Sequence, residues 1–253
     1  MSFYDRKRPK VGRVTTFDPT GVEHRRFFYE QLEESCYQGC PGIATRSYQN
    51  QILKHIPVVG NGRYLELGSH SLELTGRIIE KIGGPLSLSA LDLAYPKSLA
   101  KQRARELILQ GRGISIDLVQ GDASQLPLRA NSLDVIFHGC LLHHLERPLE
   151  CLNEVRRVLR PGGVAIFYVP CDPGLLLRIA QRLVTQRAAR RLMSRESLSV
   201  RYLWAIEHRN HFASLSEMIR NVFLKDHIQV VGYPISWRFW NLKLFDVVLI
   251  RKV

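Results

Sequence analysis

The sequence lacks two features that would direct it into or across a membrane. It has no apolar run near the roughly 20 residues that a membrane-spanning helix needs. Its N-terminal stretch, MSFYDRKRPKVGR, lacks the apolar segment of a signal peptide. We therefore expect a cytoplasmic protein, and the basic charge described below leaves open a peripheral location at the inner membrane surface.

Cysteine is scarce, with five residues scattered over a chain of 253. An odd and scattered set argues against a disulfide framework and fits a reducing compartment. Cys36 and Cys40 are spaced like one half of a zinc site, but no second paired cluster of cysteine and histidine stands at zinc-finger spacing. We expect structural thiols and no bound metal.

Acidic residues are also in the minority. The sequence has 36 Lys and Arg against 23 Asp and Glu, a formal net charge of +13. A field of that size attracts nucleic acid, an anionic membrane surface or a phosphorylated substrate, and charge alone does not choose among them.

What the sequence does have is a repeated alternation of short apolar runs and helical patterns between residues 63 and 170. Five strands are predicted, each followed by a helical or turn segment. Such alternation is typical of an α/β fold with a parallel sheet and helices on both faces. We divide the chain into residues 1–60, a basic arm with helices; 61–170, the core; 171–225, a helical cap; and 226–253, a C-terminal antiparallel strand pair.

The first unit of the core, RYLELGSHSLELTGRII over residues 63–79, reads as strand, turn and helix. A turn at the carboxyl end of a central strand is where backbone N–H groups meet a nucleotide-like ligand. Glu66, two residues before Gly68, suits a cationic group of that ligand. The alternative is an ordinary strand-to-helix turn that contains one glycine and binds no ligand.

Four further motifs follow in order: Asp92 closing the second strand, Asp122-Ala123 after the third, SLDVIFHGCLLHHL over residues 132–145, and EVRRVLRPGGVAIF over residues 154–167. With these in place, the core resembles the class I S-adenosylmethionine-dependent methyltransferases, in particular the type that acts on small molecules and on glycan or lipid conjugates. The resemblance covers residues 63–170. It implies a Rossmann-like, seven-stranded, mostly parallel sheet with helices on both faces and a helical cap insertion.

The same resemblance implies S-adenosyl-L-methionine as cofactor and a set of residues that hold it. The first motif would bind the methionine end, Asp92 the two ribose hydroxyls, and Asp122-Ala123 the adenine. The full predicted set is Glu66, Gly68, Ser69, His70, Asp92, Leu93, Asp122, Ala123 and His138.

The first motif also departs from the family pattern. That pattern usually has three alternating glycines, and here His70 and Leu72 replace two of them, leaving Gly68. Either His70 adopts a compatible backbone and places its imidazole near the carboxylate or sulfonium end of the cofactor, or the cofactor binds weakly or not at all. The retained acids Glu66, Asp92 and Asp122 favour a working site.

Transfer to a hydroxyl needs a base as well as an aligned acceptor. The catalytic candidates are His143, His138 and Asp172, with His70 a further base in the right loop. Histidine has the most suitable unperturbed pKa. The Asn-Pro-Pro-aromatic signature of amino-group methylation is absent after the fourth strand, where residues 138–141 read His-Gly-Cys-Leu.

The predicted cap is rich in arginine, with ten arginines between residues 156 and 201 against Asp172 and Glu196. The segment 175–184 is amphipathic, and its pattern predicts a bend or an end near residues 185–186. It is either a solvated helix packed on the core or a basic surface for an anionic bilayer or a phosphate-bearing acceptor. Residues 207–212 form a polar cluster that either folds over the pocket or makes a local network.

We interpret the chain as an S-adenosylmethionine-dependent methyltransferase, most simply one that methylates oxygen on a small molecule or on a glycan or lipid-linked intermediate. Residues 170–212 bear a weak resemblance to methyltransferases of surface-polysaccharide biosynthesis. The alternatives are an RNA methyltransferase that uses the basic face, for which binding would depend steeply on salt, and a non-catalytic scaffold with a methyltransferase fold.

Overall fold

The structure is a computed structural model that describes residues 43–70, 72–93, 104–108, 113–185 and 207–253. Outside the described residues lie most of the predicted basic arm (residues 1–42) with the Cys36 and Cys40 pair, residues 94–103 and 109–112 of the core, and the middle of the predicted cap (residues 186–206).

The described chain builds one seven-stranded sheet. Its strands are β1 (Gly62–Leu67), β2 (Leu86–Asp92), β3 (Ile114–Gln120), β4 (Leu133–His138), β5 (Leu159–Pro170), β6 (His227–Tyr233) and β7 (Phe245–Arg251). They lie in the order β3-β2-β1-β4-β5-β7-β6. The first five strands pair in parallel, whereas β7 pairs antiparallel with both β5 and β6. This confirms the predicted Rossmann-like, mostly parallel sheet.

Five helices with described bounds accompany the strands: α1 (Ile43–His55), α2 (Glu73–Ile82), α3 (Pro148–Val158), α4 (Leu175–Ala180) and α5 (Phe212–Val222); residues 104–108 are helical as well. Short 3₁₀ turns lie at Leu142–His144 and Trp240–Leu242, and a π turn over Gln181–Thr185 follows α4. Pro148 opens α3, where its missing N–H costs nothing. Among the described helices, none is long and apolar enough to cross a bilayer.

Helices cover both faces of the sheet because side chains of each strand alternate between the faces. On one face Leu65 and Leu67 join a core with α3 and α5. On the other face Tyr64 joins a core with α1 and α2. Glu66 points to this second face, and it is buried there beneath α2. The first strand therefore carries one acid into an otherwise apolar layer.

Two boundaries differ from the prediction. Residues 161–163, Pro-Gly-Gly, are typical of a turn before a strand, but strand β5 begins at Leu159 and runs through them. The pairing of β4 with β5 shifts register between Leu133 and Val135, and this irregularity accommodates the extra residues. The apolar helix of the cap changes to a π turn after Ala180, a few residues before the predicted bend.

Candidate active site

A cleft opens at the carboxyl edge of the sheet, between β1 and β4. From β1 the sheet order continues through β2 and β3 on one side and through β4 and β5 on the other, so this is the topological switch point where open α/β sheets bind ligands. The cleft has a volume of about 900 Å³, including the part open to solvent. Its lining includes Gly68, His70, Leu91, Asp92, Leu93, Asp122, Ala123, Leu141, His144 and Arg147.

The turn after β1 forms the inner wall of the cleft. Gly68 has φ +69°, in the left-handed region that glycine enters without strain. Its N–H donates to the Leu91 carbonyl at 2.8 Å, and the N–H of the buried Ser69 donates to the same oxygen at 3.3 Å. A Cβ on Gly68 would lie 3.2 Å from the Leu141 side chain, so the wall is tight at this point.

The two residues that replace glycines keep the glycine-like backbone. His70 has φ +36° and Leu72 has φ +59°, each in a conformation that costs an L-residue about 1 to 2 kcal/mol. The Leu72 side chain is fully buried in the α1 and α2 layer. The His70 N–H donates to Asp92 Oδ2 at 2.8 Å. The departure from the glycine pattern therefore changes the side chains in the turn and leaves its left-handed geometry in place.

Asp92 and Leu93 close β2 at the floor of the cleft. The Asp92 carboxylate holds the turn through the His70 N–H, yet a carboxylate has about four acceptor positions and can accept ligand hydroxyls as well. The Leu93 side chain is 38% exposed and offers an apolar surface beside it. This arrangement suits a group that presents two hydroxyls next to a flat apolar ring.

Asp122 and Ala123 stand on the opposite side of that floor. Asp122 Oδ1 accepts the Ser124 N–H at 2.8 Å and the Ser124 hydroxyl at 2.5 Å, and its Oδ2 accepts from Arg147 Nη2 at 2.7 Å. Burial raises the pKa of Asp122, but these hydrogen bonds outweigh burial and leave it below the usual value. Arg147 was not predicted. Its sequence signal is a cation immediately before the proline that opens α3.

Glu66 lies behind the turn, 2% exposed, and accepts a hydrogen bond from the Thr75 hydroxyl of α2. Burial raises the pKa of this carboxyl to about 8, the Thr75 hydrogen bond works against that rise, and the charge of Asp92 adds to it. At neutral pH the carboxyl is therefore largely protonated. Its predicted contact with a cationic cofactor group stays a prediction.

His138 and His143, both predicted as catalytic, are buried. The His138 ring stacks on Phe167 with centroids 4.9 Å apart, and its Nδ1–H donates to the Gly139 carbonyl at 3.2 Å. Within the described part of the chain its Nε2 has no hydrogen-bond partner. Burial lowers the pKa of His138 to about 4 and that of His143 well below its usual value, so both rings are neutral at physiological pH.

His144, the neighbour of His143, faces the cleft. Its Nδ1–H donates to the Glu207 carbonyl at 3.1 Å, and burial followed by the nearby His208 lowers its pKa to about 3. A neutral imidazole at the cleft wall can accept a hydrogen bond from a ligand hydroxyl. Cys140, His143 and His144 also bring three metal-ligand atoms within 4.8 Å of one another.

Asp172, the third catalytic candidate, pairs with a histidine that the sequence placed only in a polar cluster. His208 Nδ1–H donates to Asp172 Oδ2 at 2.8 Å, and this hydrogen bond lowers the pKa of the carboxyl. The His208 ring lies edge-on to His144, with centroids 5.2 Å apart. The pair therefore stands next to the cleft wall.

The segment 207–212 docks on the loop that lines the cleft. The N–H groups of Arg209 and Asn210 donate to the His143 carbonyl at 2.9 and 3.1 Å. The Asn210 amide donates to the Leu145 carbonyl at 2.6 Å, and Arg209 pairs with Glu146 at 2.7 Å. The structure shows the local network, which holds this segment against the cleft loop; its folding over the pocket stays a prediction.

Residues 67–167 match the family model of a methyltransferase domain. The ubiquinone/menaquinone biosynthesis C-methyltransferase UbiE of Ruegeria is 31% identical over 101 residues, 40% of this chain and 39% of that protein. The demethylmenaquinone methyltransferase of Staphylococcus epidermidis is 27% identical over 131 residues, 51% of this chain and 52% of that protein. The chain thus spans about half, or less, of these relatives.

Among solved structures, an S-adenosylmethionine-dependent methyltransferase from Aquifex aeolicus superposes with a TM-score of 0.53 at 14% identity, over 93% of this chain and 99% of that one. This likeness shows the fold. The family match over residues 67–167, on this shared fold, supports a class I methyltransferase domain there with S-adenosyl-L-methionine as its cofactor. The predicted family, fold and cofactor are confirmed at that level.

Proposed function

We propose that this chain is an active S-adenosylmethionine-dependent methyltransferase whose acceptor is a small molecule or a glycan or lipid-linked intermediate. The observation that carries the proposal is the cleft at the switch point, where the Gly68 turn, Asp92 and Asp122 face one another in the matched domain. The turn keeps its left-handed geometry without two of the usual glycines, which supports an active enzyme over a scaffold that has lost its site.

The residues present fit the cofactor. Asp92 would accept the ribose hydroxyls, Leu93 and Ala123 would contact the adenine faces, and the turn after β1 would hold the methionine end. The bound cofactor supplies an electrophilic methyl group on a sulfonium. The task left to the protein is to align the acceptor with that methyl group and to exclude water.

His144 is the side chain we assign to the acceptor. It lines the cleft beside Leu141, and its neutral ring can accept the hydrogen bond of an acceptor hydroxyl and so orient it. The Asp172 and His208 pair behind it fixes the Nδ1 proton on His208, which makes Nε2 the basic nitrogen of that ring. These groups support transfer to oxygen. Transfer to carbon is the second candidate, because the Ruegeria relative is named a C-methyltransferase.

Calorimetric titration with S-adenosyl-L-methionine tests the cofactor site. We expect saturable binding by the intact chain, weakened about tenfold to a hundredfold in Asp92→Asn, which loses charge-assisted hydrogen bonds of about 1.5 to 3 kcal/mol. Asp117→Asn is the matched control, because Asp117 is exposed on the neighbouring β3. No binding by the unmodified chain, or equal binding by Asp92→Asn, contradicts the proposal.

The acceptor is found by incubating small-molecule and lipid extracts with the protein and isotopically labelled cofactor, followed by mass spectrometry. Fragmentation of the labelled product distinguishes a methyl ether or ester from a methyl group on carbon. His144→Ala is expected to reduce the turnover of an oxygen acceptor while leaving cofactor affinity unchanged, because the contact assigned to His144 is with the acceptor.

A further inference from the structure

An exposed apolar surface begins where β5 ends. Helix α4 starts five residues beyond Pro170, and Leu175, Ile179 and Leu183 follow one another at helical spacing on one side. Their side chains are 58%, 45% and 56% exposed. A helix packed on a core would bury this side, but every described side chain of α4 keeps part of its surface accessible.

A second apolar segment lies beside α4. The connection from β6 to β7 carries Ile235, Trp237 and Phe239, which are 49%, 51% and 73% exposed. Its 3₁₀ turn, Trp240–Leu242, packs against α4, and a Cβ placed on Gly174 would lie 3.5 Å from the Trp240 ring. The two segments are therefore neighbours, and we call their exposed apolar side chains together the apolar face.

The charges around the apolar face have one sign. Arg178 and Arg182 are exposed on α4, and Arg238 is exposed between the two aromatic residues. Residues 174–183 and 234–242 contain no Asp or Glu, and the whole chain carries +13. Exposed aromatic and aliphatic side chains among arginines are the pattern of a protein surface that rests in a membrane interface. Pairing with a second copy would bring these arginines together, which opposes self-association.

The apolar face lies at the same edge of the sheet as the cleft. Pro170, at the carboxyl end of β5, pairs with Phe245 at the start of β7, and Phe245 also pairs with Tyr233 at the end of β6. Helix α4 and the β6 to β7 connection both leave the sheet at this edge. The Gly68 turn and Asp92 follow the same ends of β1 and β2, so a surface docked there would face the cleft side of the molecule.

We propose that the apolar face docks the protein on an anionic bilayer. Trp237 and Phe239 insert among the head groups, and Arg178 and Arg182 contact lipid phosphates. Docking would then present the cleft to an acceptor held in or at the membrane. That last step rests on the proposed methyltransferase function, whereas docking itself does not.

Co-sedimentation of the intact protein with vesicles, without cofactor, tests docking. We expect binding to vesicles that contain phosphatidylglycerol and little binding to phosphatidylcholine alone. The combined variant Trp237→Ser and Phe239→Ser is expected to bind at least about tenfold more weakly. Leu224→Ser is the matched control, because Leu224 is 77% exposed but precedes β6 at the opposite edge of the sheet.

A second variant tests the charges without touching the apolar residues. Arg178→Gln combined with Arg182→Gln is expected to weaken binding about tenfold and to reduce its dependence on salt. Equal binding to both kinds of vesicle overturns the proposal, as does binding that the aromatic variant leaves unchanged. The proposal is also overturned if the protein binds no vesicles but self-associates in sedimentation velocity, and if the aromatic variant abolishes that self-association. Failure of cofactor binding in calorimetry would instead refute the proposed function and leave docking standing.

Discussion

Replacing Glu66 by glutamine is predicted to stabilise the cofactor-free protein and to change how its stability depends on pH. Glu66 is the single acid of β1, it is 2% exposed, and the Thr75 hydroxyl donates to its carboxyl group. Glutamine has nearly the same shape and keeps a side-chain oxygen that can accept from Thr75. The substitution therefore removes the titration of this site and preserves its packing.

The magnitude follows from the shift of the Glu66 pKa, from an ordinary 4.5 to about 8. Below about pH 4.5 the carboxyl is protonated in both the folded and the unfolded chain, and the site does not affect stability. Between about 4.5 and 8 the unfolded chain has lost the proton that the folded chain retains, so stability falls as pH rises. At 1.36 kcal/mol per pKa unit, the loss is about 3 kcal/mol at pH 7 and about 5 kcal/mol above pH 8.

Urea unfolding measured from about pH 5 to about pH 8 tests this reasoning. The stability difference between Glu66→Gln and the unmodified chain should grow across this range and level off near its upper end. Glu80→Gln is the control, because Glu80 is an exposed carboxylate on α2. The reasoning is refuted if Glu66→Gln shows the same pH dependence as the unmodified chain, or if it is less stable at about pH 8.

Three other predictions concern packing and reactivity. Asp246→Ala should lower the free energy of unfolding by about 3 to 5 kcal/mol in a denaturant titration. The substitution removes the carboxylate that lies 2.5 Å from the ammonium of Lys243, a residue only 6% exposed, and leaves that charge buried without its ion-pair partner. A loss below about 1 kcal/mol would contradict this. Gly68→Ala should cost at least about 1 to 2 kcal/mol from its positive φ and weaken cofactor binding in calorimetry. Alkylation of the native protein followed by mass spectrometry should modify the exposed Cys140 and spare Cys151, whose pKa burial raises to about 12.

The sheet could be predicted from the sequence because its central strands are buried on both faces. In β4, for example, Val135, Ile136 and Phe137 are consecutive apolar residues that are all fully buried. The acids Asp92 and Asp122 could be placed in the same way, since Asp92 ends β2, Asp122 lies two residues after β3, and the carboxyl ends of parallel strands meet at one edge. The order of the strands and motifs along the chain therefore predicts where the cleft lies.

The acceptor side could not be predicted as well, because its contacts join residues far apart in the chain. Asp172 and His208 are 36 residues apart, and nothing in either local pattern indicates that one donates to the other. Arg147 reaches Asp122 across 25 residues. His143 is among the catalytic candidates from the sequence and His144 is not, yet His144 lines the cleft; two adjacent histidines cannot be distinguished until the 3₁₀ turn decides which ring faces it.

The missing glycines in the turn after β1 show why a residue pattern and a backbone geometry are separate questions. Glycine is favoured where φ is positive, but a non-glycine residue can occupy such a position when the rest of the fold stabilises it. Leu72 is held there by its burial between α1 and α2, and His70 by the hydrogen bond from its N–H to Asp92. The second of these contacts makes Asp92 both the predicted ribose acceptor and the anchor of the turn. Asp92→Asn keeps an oxygen that can accept from His70, whereas Asp92→Ala removes it, so only the alanine variant should lose the turn together with the ribose contact.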